Sequence, residues 1–263
     1  MKFDLVSDLH IDVWGRSGEL DWLVDQQSDL LVIAGDTSDY IDQTCEYVSR
    51  LGYYYSTIMI VDGNHEHQTR MEDLDRSIQD WTRCINQTGA VYLGSRQPII
   101  NGCQFIGING WWSFDFGRPN VSREQSIACS LRNAGITDLM IESQQKQSLL
   151  DAAFLSRSMI AAQYDPNVKS IVVVTHSLPH PSCISWNTYP PNSEMTGLYG
   201  NTNYQWTLDS DVKNKLVYWV FGHNHDRKTV LYKQARFHSN PRGRPEDWNR
   251  RNYSPIVLEV PER

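Results

Sequence analysis

The stretch Thr57-Ile58-Met59-Ile60-Val61 followed by Asp62-Gly63-Asn64-His65-Glu66 decides the reading of this chain. Five β-branched or apolar residues in a row predict a buried strand. The glycine that follows allows a sharp turn, and Asn, His and Glu then present polar side chains at the strand's carboxyl end. The same arrangement recurs on both sides. Lys2–Val6 runs into Asp8-Leu9-His10, and Leu30–Ala34 into Gly35-Asp36. Ser170–Val174 precedes His176, and Leu216–Phe221 runs into Gly222-His223-Asn224-His225. In open α/β sheets, ligands bind at the carboxyl ends of strands, and every one of these motifs falls there.

Helical spacing separates the strands: Leu20, Leu23 and Val24; Tyr47, Val48 and Leu51; Leu74, Ile78 and Trp81; and a long pattern near 142–163 carried by Leu149, Leu150, Ala153, Phe154, Met159 and Ile160. Gln104–Ile108 is a further strand. Thr229–Tyr232, Arg236–His238 and Ile256–Val260 suggest antiparallel additions at one edge. Alternating strands and helices imply an α/β architecture with helices covering the sheet faces. Without repeats, low-complexity tracts or a linker, the 263 residues are expected to form one domain, 1–263. Two aromatic segments, at about 109–141 (Trp111, Trp112, Phe114, Phe116) and 177–207 (Trp186, Tyr189, Tyr199, Tyr204, Trp206), read as irregular loops. They serve either as pocket walls or as cover for the sheet ends.

Composition narrows the classes. Hydrophobic residues make up 40% and charged residues 21%, as in globular proteins. The longest apolar run, Leu216–Phe221, is far short of the roughly 20 residues of a membrane helix. The start, MKFDLVSDLH, reads as a strand and not as a signal peptide. Cys45, Cys84, Cys103, Cys129 and Cys183 show no CxxC spacing and are expected to be free thiols in a reducing compartment, which makes the expected location cytoplasmic. A net charge of −7 disfavours nucleic acid as a partner.

Asp8, His10, Asp36, Asn64, His176, His223 and His225 supply two carboxylates, one amide oxygen and four imidazoles. Such a mixed N/O set suits first-row divalent metals. Seven ligands exceed one tetrahedral zinc and suit two ions about 3.5–4 Å apart. Each residue alone has an ordinary reading as a helix cap, turn or packed histidine. The ordered set is what is specific.

That set, DxH, GD, GNHE, H and GHxH, resembles the calcineurin-like metallophosphoesterases from Ser7 to Arg244. THSLPHPSCI, FGHNHD and SNPRG resemble a bacterial and phage group with THHAPSP, GHTHD and NPRGY segments. The resemblance implies a four-layer αββα sandwich of two mixed β-sheets flanked by helices. It implies that Asp8, His10 and His225 hold one ion and that Asn64, His176 and His223 hold the other. Asp36 would bridge them. The ions would be divalent, manganese first, with Fe, Zn, Ni or Co as alternatives. A hydroxide between the ions would attack phosphorus, and His65 would protonate the leaving oxygen or stabilise the transition state. Asp39, three residues after Asp36, stands where protein phosphatases carry a histidine-orienting aspartate; a surface loop aspartate is the alternative.

Departures bear on the substrate. The arginines that protein phosphatases carry after the bridging motif and before GNHE are absent; Tyr40, Ile41 and Asp62 stand nearby instead. A phosphodiesterase acting on a small nucleotide-type ester is therefore expected, with a phosphomonoesterase as the alternative and a catalytically idle scaffold as a third reading. Arg242, Trp111 and His180 are candidate substrate contacts. Arg242 belongs to a basic tail (Arg227, Lys228, Lys233, Arg236, Arg244, Arg250, Arg251) that also reads as a solvated edge or as an arginine pinning the terminal loop. Glu66 lies either behind the ligands or at the start of a helix near Gln68–Met71.

Overall fold

A computed structural model describes residues 1–15, 20–117, 121–133, 136–185, 193–247 and 253–262. In chain order the elements are β1 (Lys2–Val6), α1 (Ile11–Trp14), β2 (Leu30–Ala34), α2 (Ile41–Leu51), β3 (Thr57–Val61), α3 (Leu74–Thr88), β4 (Val91–Tyr92), β5 (Ile99–Ile100), β6 (Cys103–Ile108), α4 (Arg123–Asn133), α5 (Asp138–Tyr164), β7 (Ser170–Thr175), α6 (Tyr204–Asp209), β8 (Leu216–Phe221), β9 (Lys228–Tyr232), β10 (Ala235–Ser239) and β11 (Ile256–Glu259). They build a five-stranded sheet, β11-β1-β2-β3-β4, and a six-stranded sheet, β5-β6-β7-β8-β10-β9. Both are mixed, with antiparallel partners only at the edges.

Side-chain alternation divides each central strand between two cores. Phe3, Leu5, Val32, Met59 and Val61 face Phe105, Val172, Val174 and Val220 between the sheets. The opposite faces of β2 and β3 (Leu31, Ile33, Ile58, Ile60) pack on Tyr47, Val48 and Leu51 of α2 and on Trp81 and Ile85 of α3. Those of β7 and β8 (Ile171, Val173, Trp219, Phe221) pack on Ala152, Leu155 and Met159 of α5 and on Tyr204 of α6. The result is the expected four-layer αββα sandwich. Continuous apolar strands such as LLVIA and LVYWVF are the sequence trace of sheets covered on both faces.

Several expectations change. The terminal strands extend both sheets: β11 is antiparallel to β1, while β10 runs parallel to β8 and carries β9 as a hairpin. The aromatic segment 109–141 is not wholly irregular, since it contains α4 and the start of α5. In 177–207, Pro181–Cys183 and Glu194–Leu198 are 3-10 turns and Tyr204 begins α6; Trp186 and Tyr189 lie outside the described residues. The pattern at Leu20, Leu23 and Val24 forms a short 3-10 turn, Asp21–Asp25. Cys45 and Cys84 are not free thiols: they form a disulfide between α2 and α3, with Cα atoms 6.2 Å apart. The two are 39 residues apart, and only the packing of the helices brings them together, so no local spacing reveals the pair. Cys103, Cys129 and Cys183 are buried. The cysteines therefore no longer argue for a reducing compartment. Among the described residues, no helix is long and apolar enough to cross a membrane.

α5 presents a different face from the one its leucines suggest. Leu149, Leu150 and Ile160 are about half exposed, and Gln144, Ser148, Asp151, Leu155 and Met159 are buried. The reason is Asp151. Its Oδ2 accepts the backbone N–H groups of Gly110 and Trp111, each at 3.0 Å, and Oδ1 accepts from Gln147 Nε2 at 2.7 Å. The loop after β6 thereby gains partners for amides that would otherwise be buried unpaired. Burial pushes the Asp151 carboxyl up to about 7, against those hydrogen bonds. A folded-state value above the unfolded one means the native state binds more protons between roughly pH 4 and 7. Stability from this group is thus greatest below about pH 4 and falls as pH rises to 7, by up to ~1.4 kcal/mol per pH unit. Asp151→Asn, which keeps one carbonyl acceptor, is expected to flatten that slope in denaturant melts across pH. An unchanged slope would show that Asp151 does not titrate there.

Candidate active site

The cluster forms at the carboxyl ends of the central strands. Asp8 and His10 follow β1, Asp36 follows β2, Asn64 and His65 follow β3, His176 follows β7, and His223 and His225 follow β8. Asp8, His10, Asp36, His223 and His225 all have positive φ, between 44° and 76°. Such backbone is uncommon for residues with side chains and concentrates where geometry serves a site. Gly63 and Gly222 are required by packing: a Cβ at Gly63 would strike the Asp36 carboxylate, and one at Gly222 would lie 2.5 Å from Asp8 Oδ2.

Among the described residues, four groups bring atoms able to hold a metal within 4.8 Å of one another: Asp8, His10 and His225; His10, Asp36 and His65; Asp36, His176 and His223; and, at the side of His10, His10, Asp12 and Asp39. The sequence-predicted residues therefore converge. His176 Nε2 stands 3.0 Å from Asp36 Oδ2, and His10 Nε2 is 3.0 Å from His225 Nε2. His65 N donates to Asp36 Oδ1 at 2.9 Å, and His223 N donates to Asp8 Oδ1 at 2.9 Å.

The outer ring nitrogens have partners that fix the tautomers. His176 Nδ1 donates to the Ala34 carbonyl at 2.9 Å, His223 Nε2 to the Leu198 carbonyl at 2.9 Å, and His225 Nδ1 to Asp247 Oδ2 at 2.7 Å. On His223 and His225 the proton held outward leaves the other nitrogen's lone pair turned inward, while the inner nitrogen of His176 faces Asp36. Asp8 Oδ2, His10 Nδ1 and Asn64 Oδ1 are buried with no hydrogen-bond partner. Buried polar atoms are ordinarily paired, and this many unpaired acceptors in one cluster fits cations as their partners.

The electrostatics agree. Burial pushes His10 down to about 3, and burial with the charge of His176 pushes His223 down to about 3, so both stay neutral with lone pairs available. Burial works against a charge on His176, but Asp36 outweighs it and drives the imidazole up to about 10. Asp36, despite burial, is held well below the usual carboxylate range by His176 and His65. In the metal-free protein a proton on His176 thus supplies part of the positive charge that the carboxylates call for.

His65 faces the cluster with Nε2 3.9 Å from Asp36 Oδ2, while Nδ1 lies 2.6 Å from Asp39 Oδ1. Burial lowers its basicity, but Asp36 and Asp39 together raise it above the ordinary value, and the bond to His65 lowers Asp39. Asp39 is thus joined to His65 and is not a free loop aspartate.

Other candidates settle elsewhere. Arg242 is 1% exposed, with Nη2 2.8 Å from Asp21 Oδ1 and its guanidinium 4.1 Å above the Trp14 ring. It pins the terminal segment, and the expected phosphate contact is corrected. Trp111 is fully buried against Leu74, Trp112, Phe114 and Ile141, so it is core and not a pocket wall. Its neighbour Trp112 instead stacks on His223 at 5.3 Å and 18°. His180 caps Pro181–Cys183, accepts from Ser182 N at 3.2 Å and packs on Tyr232; the structure does not bring it to the cluster. Arg250 and Arg251 lie outside the described residues.

Two functions of the motifs escape sequence reasoning. Glu66 accepts the backbone N–H groups of Gly63, Thr37 and Asp36 at 2.7, 2.6 and 3.1 Å, locking the loop after β2 to the loop after β3. Burial and the nearby Asp36 push it up to about 7. Asp247 and Arg244 approach from the tail, with nothing in their spacing to mark them.

The calcineurin-like phosphoesterase family model matches residues 1–227. An uncharacterized protein of Acanthamoeba polyphaga mimivirus, L509, is 21% identical over 271 residues, which cover 96% of this chain and 94% of that protein. The crystal structure of phosphopantetheinyl hydrolase (PptH) from Mycobacterium tuberculosis superposes with a TM-score of 0.75 at 20% identity, covering 95% of this chain and 92% of that one. Motifs, fold and family model coincide: the chain belongs to the calcineurin-like phosphoesterases and is a hydrolase of phosphoric esters.

Proposed function

We propose that this chain is a dinuclear-metal phosphodiesterase for small, nucleotide-type phosphate esters. The observation that carries the dinuclear part is the set of unpaired buried acceptors on Asp8, His10 and Asn64, beside imidazoles whose outer nitrogens are already bonded. Asp8, His10 and His225 would hold one divalent ion, Asn64, His176 and His223 the other, and Asp36 both. Manganese is the ion to test first, and the same N/O set accepts Fe, Zn, Ni or Co, so availability decides among them. The pair supplies an acidified water and charge stabilisation at phosphorus. His65 carries its proton on Nε2 toward the leaving oxygen, and Asp39 holds Nδ1 and supports the imidazolium.

The diester preference is supported by Asp62. At the position before GNHE its carboxylate is bound to His67 Nε2, Tyr92 Oη and Asn109 Nδ2 at 2.8, 2.9 and 3.2 Å. That buried network stands where protein phosphatases carry an arginine, so the loop after β3 itself brings no positive charge for a monoester dianion. Nucleic acid is not the favoured substrate, because the net charge is −7.

The test is kcat/KM for bis-nitrophenyl phosphate and nitrophenyl phosphate, measured in parallel on metal-stripped protein reloaded with manganese. A diester preference of at least about 10-fold is expected, equivalent to ~1.4 kcal/mol. A monoester preference would replace the reading with a phosphomonoesterase. No turnover of either ester, with metal bound, would favour the idle scaffold.

A further inference from the structure

Resting on that reading, the tail beyond β10 appears in the site as a second layer of chemistry. Ser7 and Pro241 form a parallel bridge. Arg242 N donates to Ser7 O at 2.9 Å and Gly243 N to Asp8 O at 2.8 Å. Trp14 Nε1 donates to Gly243 O at 2.9 Å. The tail is therefore fastened to the backbone that carries Asp8, and Arg244 comes next.

Arg244 N donates to Asp247 Oδ2 at 2.7 Å, the same oxygen that receives His225 Nδ1 at 2.7 Å. Asp247 N closes the turn on Arg244 O at 3.0 Å. The backbone of Arg244 is thus set by the carboxylate that orients a candidate metal ligand. Its side chain reaches His65: Nη2 lies 3.5 Å from His65 Nε2, and with a proton on that nitrogen the two are donors side by side. Arg244 Nε is buried and has no partner among the described residues. No carboxylate neutralises the guanidinium through an ion pair among the described residues.

A guanidinium has five donors in a rigid fork. Here one of them is buried unpaired and another touches only the nitrogen proposed to deliver a proton. An anion with several acceptor oxygens, seated beside His65 Nε2, would satisfy both. We propose that Arg244 is the substrate-phosphate clamp of this enzyme, donating to a non-bridging oxygen while His65 protonates the bridging one. The tail segment 240–247 is then part of the site, although the family model ends at residue 227. It supplies from the opposite end of the chain a positive group that the loops after β2 and β3 lack.

The experiment compares wild type, Arg244→Ala and Arg244→Lys as manganese-loaded proteins. The readouts are metal content, melting temperature, the inhibition constant of inorganic phosphate, and KM and kcat for bis-nitrophenyl phosphate. Losing a charge-assisted, forked contact should weaken phosphate inhibition and raise KM by about 10- to 100-fold. Lysine should recover part of the loss, and metal content should stay at the wild-type level. Wild-type phosphate affinity and KM in Arg244→Ala, with an active parent enzyme, would overturn the clamp and leave the phosphodiesterase reading standing. Loss of metal in Arg244→Ala would assign Arg244 to holding the metal site together and also overturn it. A wild-type protein that loads manganese yet neither binds phosphate nor cleaves either ester would overturn both.

Discussion

Asp36→Asn is expected to lower kcat/KM of the manganese-reloaded enzyme by about 10³-fold or more, ~4 kcal/mol, with the fold intact. The expectation comes from where the carboxylate stands. Asp36 is 1% exposed and follows β2 on a strained, positive-φ backbone. Oδ1 takes the His65 amide at 2.9 Å, while Oδ2 faces His176 Nε2 at 3.0 Å. Among the described residues it is the one carboxylate common to two of the four His/Asp groups, so a shared oxygen donor is its natural role. Asparagine can still accept from His65 N, which protects the loop. It removes the negative charge that cancels two dications and leaves an NH2 donor or a neutral oxygen where a second anionic oxygen is needed. Metal analysis should show loss of at least one ion per chain, and the melting temperature of the metal-free protein should change little. Near-wild-type activity with both ions retained would remove Asp36 from the bridging position.

The main architecture was legible because it leaves a local trace. Strands buried on both faces must be apolar throughout, and Leu30–Ala34, Thr57–Val61 and Leu216–Phe221 are. Candidate ligands must follow those strands within a turn, so the candidates Asp8, Asp36, Asn64, His176 and His223 are found by position as well as by type. For Asp39 the resemblance to protein phosphatases left two readings open, a histidine partner or a loop aspartate, and only the contact with His65 separates them.

What was not legible depends on contacts across the chain. Arg242 and Arg244 are two residues apart in one basic tail, and composition does not separate them. The backbone does: Arg242 is turned to Asp21 and Trp14, and Arg244 to His65. Trp111 and Trp112 are adjacent, yet one is core and the other stacks on His223. The buried face of α5 is chosen by a carboxylate that serves the loop after β6, against the hydrophobicity of Leu149 and Leu150. The Cys45–Cys84 pair likewise follows from the packing of α2 on α3. In each case neighbouring residues of one type part according to a partner far off in sequence.

His65→Ala should separate acid catalysis from metal catalysis. With a leaving group as poor as an alkoxide, the departing oxygen needs a proton in the transition state, and a positioned acid contributes about 10²- to 10⁴-fold. A nitrophenolate departs without one. The variant should therefore lose about that factor on alkyl esters and roughly 10-fold or less on nitrophenyl esters. A plot of rate against leaving-group pKa should steepen. His65 lies beside the metal cluster, and its Nδ1 is engaged by Asp39, so manganese content should be unchanged. Asp39→Asn should shift in the same direction by a smaller amount, about 10- to 100-fold on the alkyl ester, because the imidazole remains but loses its anionic support. Equal losses on both ester types in His65→Ala would show that His65 stabilises charge at phosphorus without delivering a proton. In that event Arg244, whose Nη2 is 3.5 Å from the same nitrogen, and His65 would be two donors to one phosphoryl group, and the leaving oxygen would take its proton from solvent.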